Sequence, residues 1–163
     1  MQTILNTPDD PAHDSLVEKK SEFIGDAAHV DTLDEALAFV AAIREQHPKA
    51  RHVAYAAVCG GADGRLSERM SDDGEPSGTA GKPILDVLKQ SGTTDCVVAV
   101  TRYFGGILLG AGGLVRAYAH SAKLALDTAG RAMKRVWTRV YLPFSYRWYE
   151  RLKLGVAAFG GIV

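Results

Sequence analysis

Apolar residues change their spacing several times along this 163-residue chain, and each change marks an element. Residues 1–15 are polar, interrupted by Pro8 and Pro11, and show no period, which predicts a loose N-terminus. Residues 16–30 read as one irregular strand. Thr32 followed by Glu35 is a capping box, and Leu33, Leu37, Val40 and Ile43 then fall on one helical stripe that Pro48 closes. Residues 52–59 form an apolar run of strand length. Asp63 and Gly64 suit a hairpin turn into a more polar strand at 65–71. A short helix enters through Pro83 and spans 82–90, and 96–101 is a buried strand. A bend at Gly105 and Gly106 precedes a long helix over 111–129, which Gly130 stops. A further strand at 136–142 and a helix at 145–158 complete the reading.

Strands and helices intermix without strict alternation. This predicts an α+β fold, a mixed four-stranded sheet with helices mainly on one face. The main domain is expected over 16–130, with residues 131–163 as the start of a second one, too few for a core of their own.

Composition narrows the classes. The 19 Lys and Arg balance the 19 Asp and Glu, which disfavours a generally cationic coat but leaves room for a local basic face. No apolar run reaches membrane-spanning length, and the N-terminus lacks the basic and apolar regions of a secretory signal. Cys59 and Cys96 lie inside apolar runs without a CxxC pattern, as expected of reduced core thiols in the cytoplasm.

Two clusters carry candidate chemistry. The first is SDDGEPSGTAGKP, residues 71–83. It is not a P-loop, because Pro76 stands where the first glycine belongs and Pro83 where the magnesium-binding hydroxyl belongs. Asp72, Asp73 and Glu75 offer oxygen ligands for a hard cation, but the calcium-loop spacing is absent, so turn and cap roles are favoured and no metal or cofactor is expected. The second cluster is TRYFGGILLGAGGLVRAY, residues 101–118. Its glycines fail the dinucleotide spacing at Val115, yet Gly112 and Gly113 open a helix whose free N–H groups are receptive to anions, with Arg102 or Arg116 to supply most of the grip; Gly105, Gly106 and Gly113 equally suit a close approach of strand and helix backbones. Along that helix Arg116, His120, Lys123 and Asp127 share one face, a candidate basic strip. Tyr103, Phe104 and Tyr118 read as core or rim aromatics. His52, beside an apolar strand, reads as a hydrogen-bonded structural residue.

The two clusters, SDDGEPSGTAGKPIL and VVAVTRYFGGILLGAGGLVRAY, closely resemble the signature stretches of the IMPACT/YigZ family, over residues 15–130. The family pattern falls on Asp72, Asp73, Gly74, Glu75, Pro76, Gly78, Thr79 and Gly81, the last followed by Lys82. It falls further on Arg102, Tyr103, Gly105, Gly106, Gly110, Gly112, Gly113 and Arg116, and His52 matches the histidine of the family's second strand. The text from Val53 to Ala57 departs from the more polar, aromatic one the family carries there. The resemblance implies an N-terminal domain like domain IV of elongation factor G and ribosomal proteins, with a left-handed β-α-β crossover. It also implies a partial ferredoxin-like β-α unit after residue 131.

The family's eukaryotic members regulate translation by binding an activator of the amino-acid-starvation kinase, and its fold relatives bind RNA or ribosomes. The expected function is therefore a non-enzymatic cytosolic module related to translation. It would bind RNA, a ribosomal element or a translation-related protein through the glycine-rich loops and the basic helix face. The alternatives are a metal-assisted enzyme built on the acidic loop and a purely protein-binding module. Residues 131–163 are a candidate for self-association.

Overall fold

A computed structural model describes residues 1–60, 64–135 and 138–163 of the chain. The elements run β1 (Gln2–Ile4), β2 (Ala12–Glu18), β3 (Ser21–His29), α1 (Leu33–Gln46), β4 (His52–Gly60), β5 (Leu66–Ser71), α2 (Gly81–Ser91), β6 (Cys96–Tyr103), α3 (Ala111–Thr128), β7 (Arg131–Met133) and α4 (Tyr149–Ala158). A single 3-10 turn, Tyr146–Trp148, leads into α4. The expected Asp63 turn residue lies outside the described residues.

The α+β class stands, but the sheet has five strands in the order β2-β3-β6-β4-β5, and every neighbouring pair is antiparallel. Two features separate it from the mixed four-stranded expectation. The stretch expected as one strand is a hairpin, in which Glu18 pairs with Ser21 across a turn of Lys19 (φ 45°) and Lys20 (φ 63°). Positive φ at both central positions is the geometry that matches strand twist, and glycine or asparagine usually supplies it. Here two lysines do, so the usual turn signal is missing. In addition, β6 inserts between β3 and β4. Strands joined through α1, which would be parallel neighbours, are thereby separated by an antiparallel one.

Residues 1–15 are not loose. They contain β1 and half of β2, with Ile4 and Ala12 buried. One buried apolar position on each strand, Ile4 on β1 and Ala12 on β2, leaves no period to read. β1 pairs with β7, and Leu5 donates to the carbonyl of Gly130, so the end of α3 is tied to the N-terminus. Beyond it, residues 138–142 form no strand, and the other two residues of the strand expected there lie outside the described residues.

The sheet is buried on both faces. Val53, Tyr55, Ala57, Val97 and Ala99 pack against Phe39, Val40 and Ile43 of α1. On the opposite face Ala54, Ala56, Val98 and Val100 pack against Ile84 and Leu88 of α2 and Leu114, Tyr118 and Ala122 of α3. Thr32 caps α1 by accepting from the Glu35 amide, and Glu35 reaches back to the Asp31 amide, much as the capping box predicts. Helix α3 comes close to β3 at Gly25, where a Cβ would stand 2.8 Å from the Ser121 carbonyl oxygen. This close approach seats the middle of α3 on β3.

Candidate functional site

The acidic loop after β5 is pinned by its own carboxylates. Asp72 accepts three backbone amides, from Gly78 (2.8 Å), Ala80 (3.0 Å) and Gly81 (2.8 Å). It thereby caps α2 from outside, since Ala80 at the cap position has no side-chain oxygen to offer. Burial alone would push the Asp72 carboxyl up; the three amides outweigh it and hold it below the ordinary 3.8. Asp73, held at φ 47°, accepts from the Val53 amide at 2.6 Å and pairs with Arg44 at 2.7 Å. Its carbonyl accepts from His52 Nδ1 at 2.7 Å, the structural role expected of that histidine. Pro76 accepts from the amide and hydroxyl of Thr79. Each acid thus serves a different set of donors, and among the described residues no three His, Cys, Asp or Glu side chains gather as a metal site. Gly74, Pro76 and Gly78 are left exposed at the loop's outer edge, next to Lys82, which pairs with Asp86.

Glu75 turns inward, and Arg102 meets it. Arg102 Nη1 donates to Glu75 Oε1 at 2.6 Å, and the Tyr118 hydroxyl donates to the same oxygen at 2.7 Å. The two charged side chains are 8% and 3% exposed. The guanidinium lies over the rings of Phe23 (5.5 Å) and Phe104 (5.6 Å), and Phe23 meets Tyr118 edge to face at 5.2 Å. Burial pushes the Tyr118 phenol far up, so it stays protonated and remains a donor. Arg102 is therefore held inside the protein, between Glu75 and the rings of Phe23 and Phe104. Strand alternation places it on the α3 side of β6, in line with Val98 and Val100, where it meets the Glu75 carboxylate.

The expected pair of guanidiniums is thus divided: Arg102 is inside and Arg116 is exposed on α3. Arg116 and His120 line a cleft of about 250 Å³ together with Leu16, Glu18, Lys19 and Leu109. Lys123 does not join them. It pairs with Asp127 and borders a separate groove beside Gln90 of α2. Tyr103 is half-buried, its hydroxyl 2.9 Å from His47 Nδ1.

Between β6 and α3, the loop 104–110 lies across the β2–β3 turn. Gly105 donates to Ser21 Oγ at 3.2 Å and packs directly on the Lys20 backbone. Gly106 and Gly110 take positive φ, and Gly112 and Gly113 stand in the first turn of α3. This frame leaves Phe104 47%, Ile107 42% and Leu108 80% exposed within five residues. Lys19, Lys20, Ile107 and Leu108 are the site residues that sequence reasoning missed. Adjacent lysines between two alternating runs were the available signal for the first two, and three large apolar residues inside a glycine-rich loop for the others.

With this geometry in view, the comparisons with known proteins agree on one relationship. The Impact N-terminal domain matches residues 19–126. An IMPACT family member of Haemophilus influenzae is 51% identical over 108 residues, which are 66% of this chain and 52% of the relative. The IMPACT family member YigZ of Escherichia coli is 46% identical over 128 residues, 78% of this chain and 63% of the relative. A crystal structure described as that of a hypothetical protein superposes with a TM-score of 0.74 at 43% identity, covering 80% of this chain and 62% of that one. The chain spans about half to two thirds of the length of these relatives. It belongs to the IMPACT family.

Proposed function

We propose that the chain is a non-catalytic, translation-related regulatory module of the cytoplasm. It docks a protein or ribosomal surface of the translation apparatus through the end where the 18–21 turn, the 104–110 loop and the start of α3 meet. One observation carries this reading: Phe104, Ile107 and Leu108 are held exposed on a loop whose flanks are fixed, beside the cations Lys19 and Arg116 and the imidazole of His120. Exposed apolar groups with a polar rim, on a backbone that need not be ordered on binding, favour macromolecular contact. Family membership supports the link to translation through what the resemblance implies. The acidic loop supports a non-catalytic role, since Asp72, Asp73 and Glu75 are each engaged by separate internal donors.

A second reading is favoured by the cleft itself. Lys19, Arg116 and His120 around about 250 Å³ suit a phosphate group of RNA.

Co-sedimentation with ribosomal fractions at two salt concentrations separates the two. Docking through the apolar loop predicts that Leu108→Asp abolishes association at both salts, while Lys19→Ala/Arg116→Ala weakens it mainly at low salt. Phosphate binding predicts the reverse ranking, with the double variant losing most affinity and about two phosphates' worth of salt dependence. Association unchanged in both variants removes this end of the molecule from the function.

A further inference from the structure

Strand β2 is an outer strand of the five-stranded sheet, and it borders the cleft of about 250 Å³. Its pairing with β3 fixes which of its backbone groups are open. Glu18 and Ser21 close the two-residue turn of Lys19 and Lys20, so they exchange hydrogen bonds across the ladder. By alternation Leu16 does so with Phe23, Asp14 with Gly25 and Ala12 with Ala27. The N–H and C=O groups of His13, Ser15 and Val17 therefore point away from the sheet. The Ser15 amide agrees with this, since its acceptor is the Asp14 carboxylate at 2.7 Å. Among the described residues no strand pairs with this edge, and an open edge is a template for one more strand.

The side chains of β2 divide in the same way. Leu16 stands opposite Phe23, which meets Tyr118 of α3, so the row of Leu16 and Glu18 faces the helix. From α3, Gly113, Arg116, Ala117 and His120 line the other side of the cleft. The cleft thus lies between an open strand edge and a helix wall, with Leu16, Leu109 and Ala117 as apolar lining. A strand added to β2 would send every second side chain toward it, at a spacing of about 6.8 Å. Charge marks one end. Arg116 Nη1 lies 3.6 Å from where a Cβ on Gly112 would stand, so the guanidinium reaches back over the first turn of α3, toward the 18–21 turn. Lys19 and Lys20 are exposed on that turn. None of these three cations meets a carboxylate within 4.0 Å among the described residues.

We propose that β2 takes an extended, acidic segment of a partner protein as a sixth strand, with an aliphatic side chain in the cleft and a carboxylate at Arg116 and Lys19. The inference rests on the reading of this end as a protein-docking surface and names the segment that docks. Main-chain hydrogen bonds to His13, Ser15 and Val17 supply affinity, and the cleft selects the side chain. RNA matches the charges but makes no use of the open strand edge. A second copy of this chain fits less well. Two copies of β2 paired antiparallel about a two-fold axis keep the same face of the sheet, so both α3 helices would meet over the joint. A lone extended segment brings no helix.

The test uses the full chain and a fluorescein-labelled seven-residue peptide, the length of β2. The peptide has leucine at its centre, valine and threonine around it and glutamate at both ends. Anisotropy reports binding, and amide hydrogen exchange reports its place. The peptide is expected to bind and to protect the amides of His13, Ser15 and Val17, while those of Asp14 and Leu16, already bonded to β3, stay as they were. Ser15→Pro removes one outward N–H at a position where an edge strand tolerates proline, and weakens binding about ten-fold or more; Ser15→Ala has no effect. Arg116→Glu weakens binding about ten-fold at about 50 mM salt and less at about 500 mM. Should Ser15→Pro disturb folding, the exchange pattern in the unaltered protein still decides. The proposal is overturned if the peptide does not bind, if it binds without protecting those three amides, or if folded Ser15→Pro binds it as tightly. Dimerisation that protects the same amides, or binding of an oligouridylate in the peptide's place, likewise rejects it. Leu108→Asp keeps the two readings apart. Ribosomal association lost in that variant, with no peptide bound by the unaltered chain, rejects strand addition and leaves the docking end standing. Peptide binding, with ribosomal association unchanged in Leu108→Asp, supports the strand site and rejects docking through the apolar loop.

Discussion

Arg102→Ala is expected to lower folding stability by about 3–5 kcal/mol, the cost of leaving one member of a buried ion pair without its partner. Glu75, its side chain 3% exposed, would keep only the Tyr118 hydroxyl at 2.7 Å, and Phe23 and Phe104 would lose the group they flank. Urea unfolding measures the loss. The companion variant Arg102→Met/Glu75→Leu is expected to recover most of it, because well-packed apolar side chains often replace a buried pair at little cost. A loss below about 1 kcal/mol for Arg102→Ala would mean that the guanidinium is not engaged inside the protein.

Gly105→Ala should be the most damaging single-methyl change in the binding face. Its Cβ would stand 1.9 Å from the Lys20 carbonyl oxygen, 2.0 Å from the Lys20 carbonyl carbon and 2.5 Å from the Ser21 nitrogen. All three are backbone atoms of the hairpin turn, so no rotamer change relieves the clash, and the 104–110 loop must lift away. Overpacking of this kind costs about 1–3 kcal/mol or more. Association with ribosomal fractions should fall at least as far as in Leu108→Asp. The neighbouring Gly106→Ala is the control. Nothing lies within 4 Å of its Cβ, and only the positive φ of 86° is strained, at about 1–2 kcal/mol.

How much of this was visible in the sequence follows from the range over which each signal acts. The capping box at Thr32 and Glu35, the apolar runs of β4 and β6 and the stripe of α3 depend on neighbours a few residues away, and they were read nearly at their observed boundaries. The Lys19–Lys20 turn was not, because its left-handed backbone is imposed by the pairing of Ala12–Glu18 with Ser21–His29 rather than by residues with a turn preference.

Among site residues, the turn-and-cap role of the acidic loop was legible, since Asp beside Gly, Ser and Pro seeks backbone amides at short range. The direction of Arg102 was not. Its partner Glu75 is 27 residues away, and the decision between ligand and internal pair is made by Phe23 and Tyr118, which arrive from β3 and α3. The anion-facing strip was half legible: Arg116 and His120 share a cleft with Lys19, whereas Lys123 is drawn to Asp127 one turn further on.

The proposed docking end requires two glycine-rich loops, 71–81 and 104–110, to be as fixed as the strands beside them, and native-state amide hydrogen exchange measures that directly. The amides of Glu75, Gly78, Thr79, Ala80, Gly81 and Gly105 each have an acceptor inside the protein. They are expected to exchange with protection comparable to that of β4 and β6, and to lose it together in Arg102→Ala. Exchange of these amides at the rate of unstructured peptide in the unaltered protein would contradict the account.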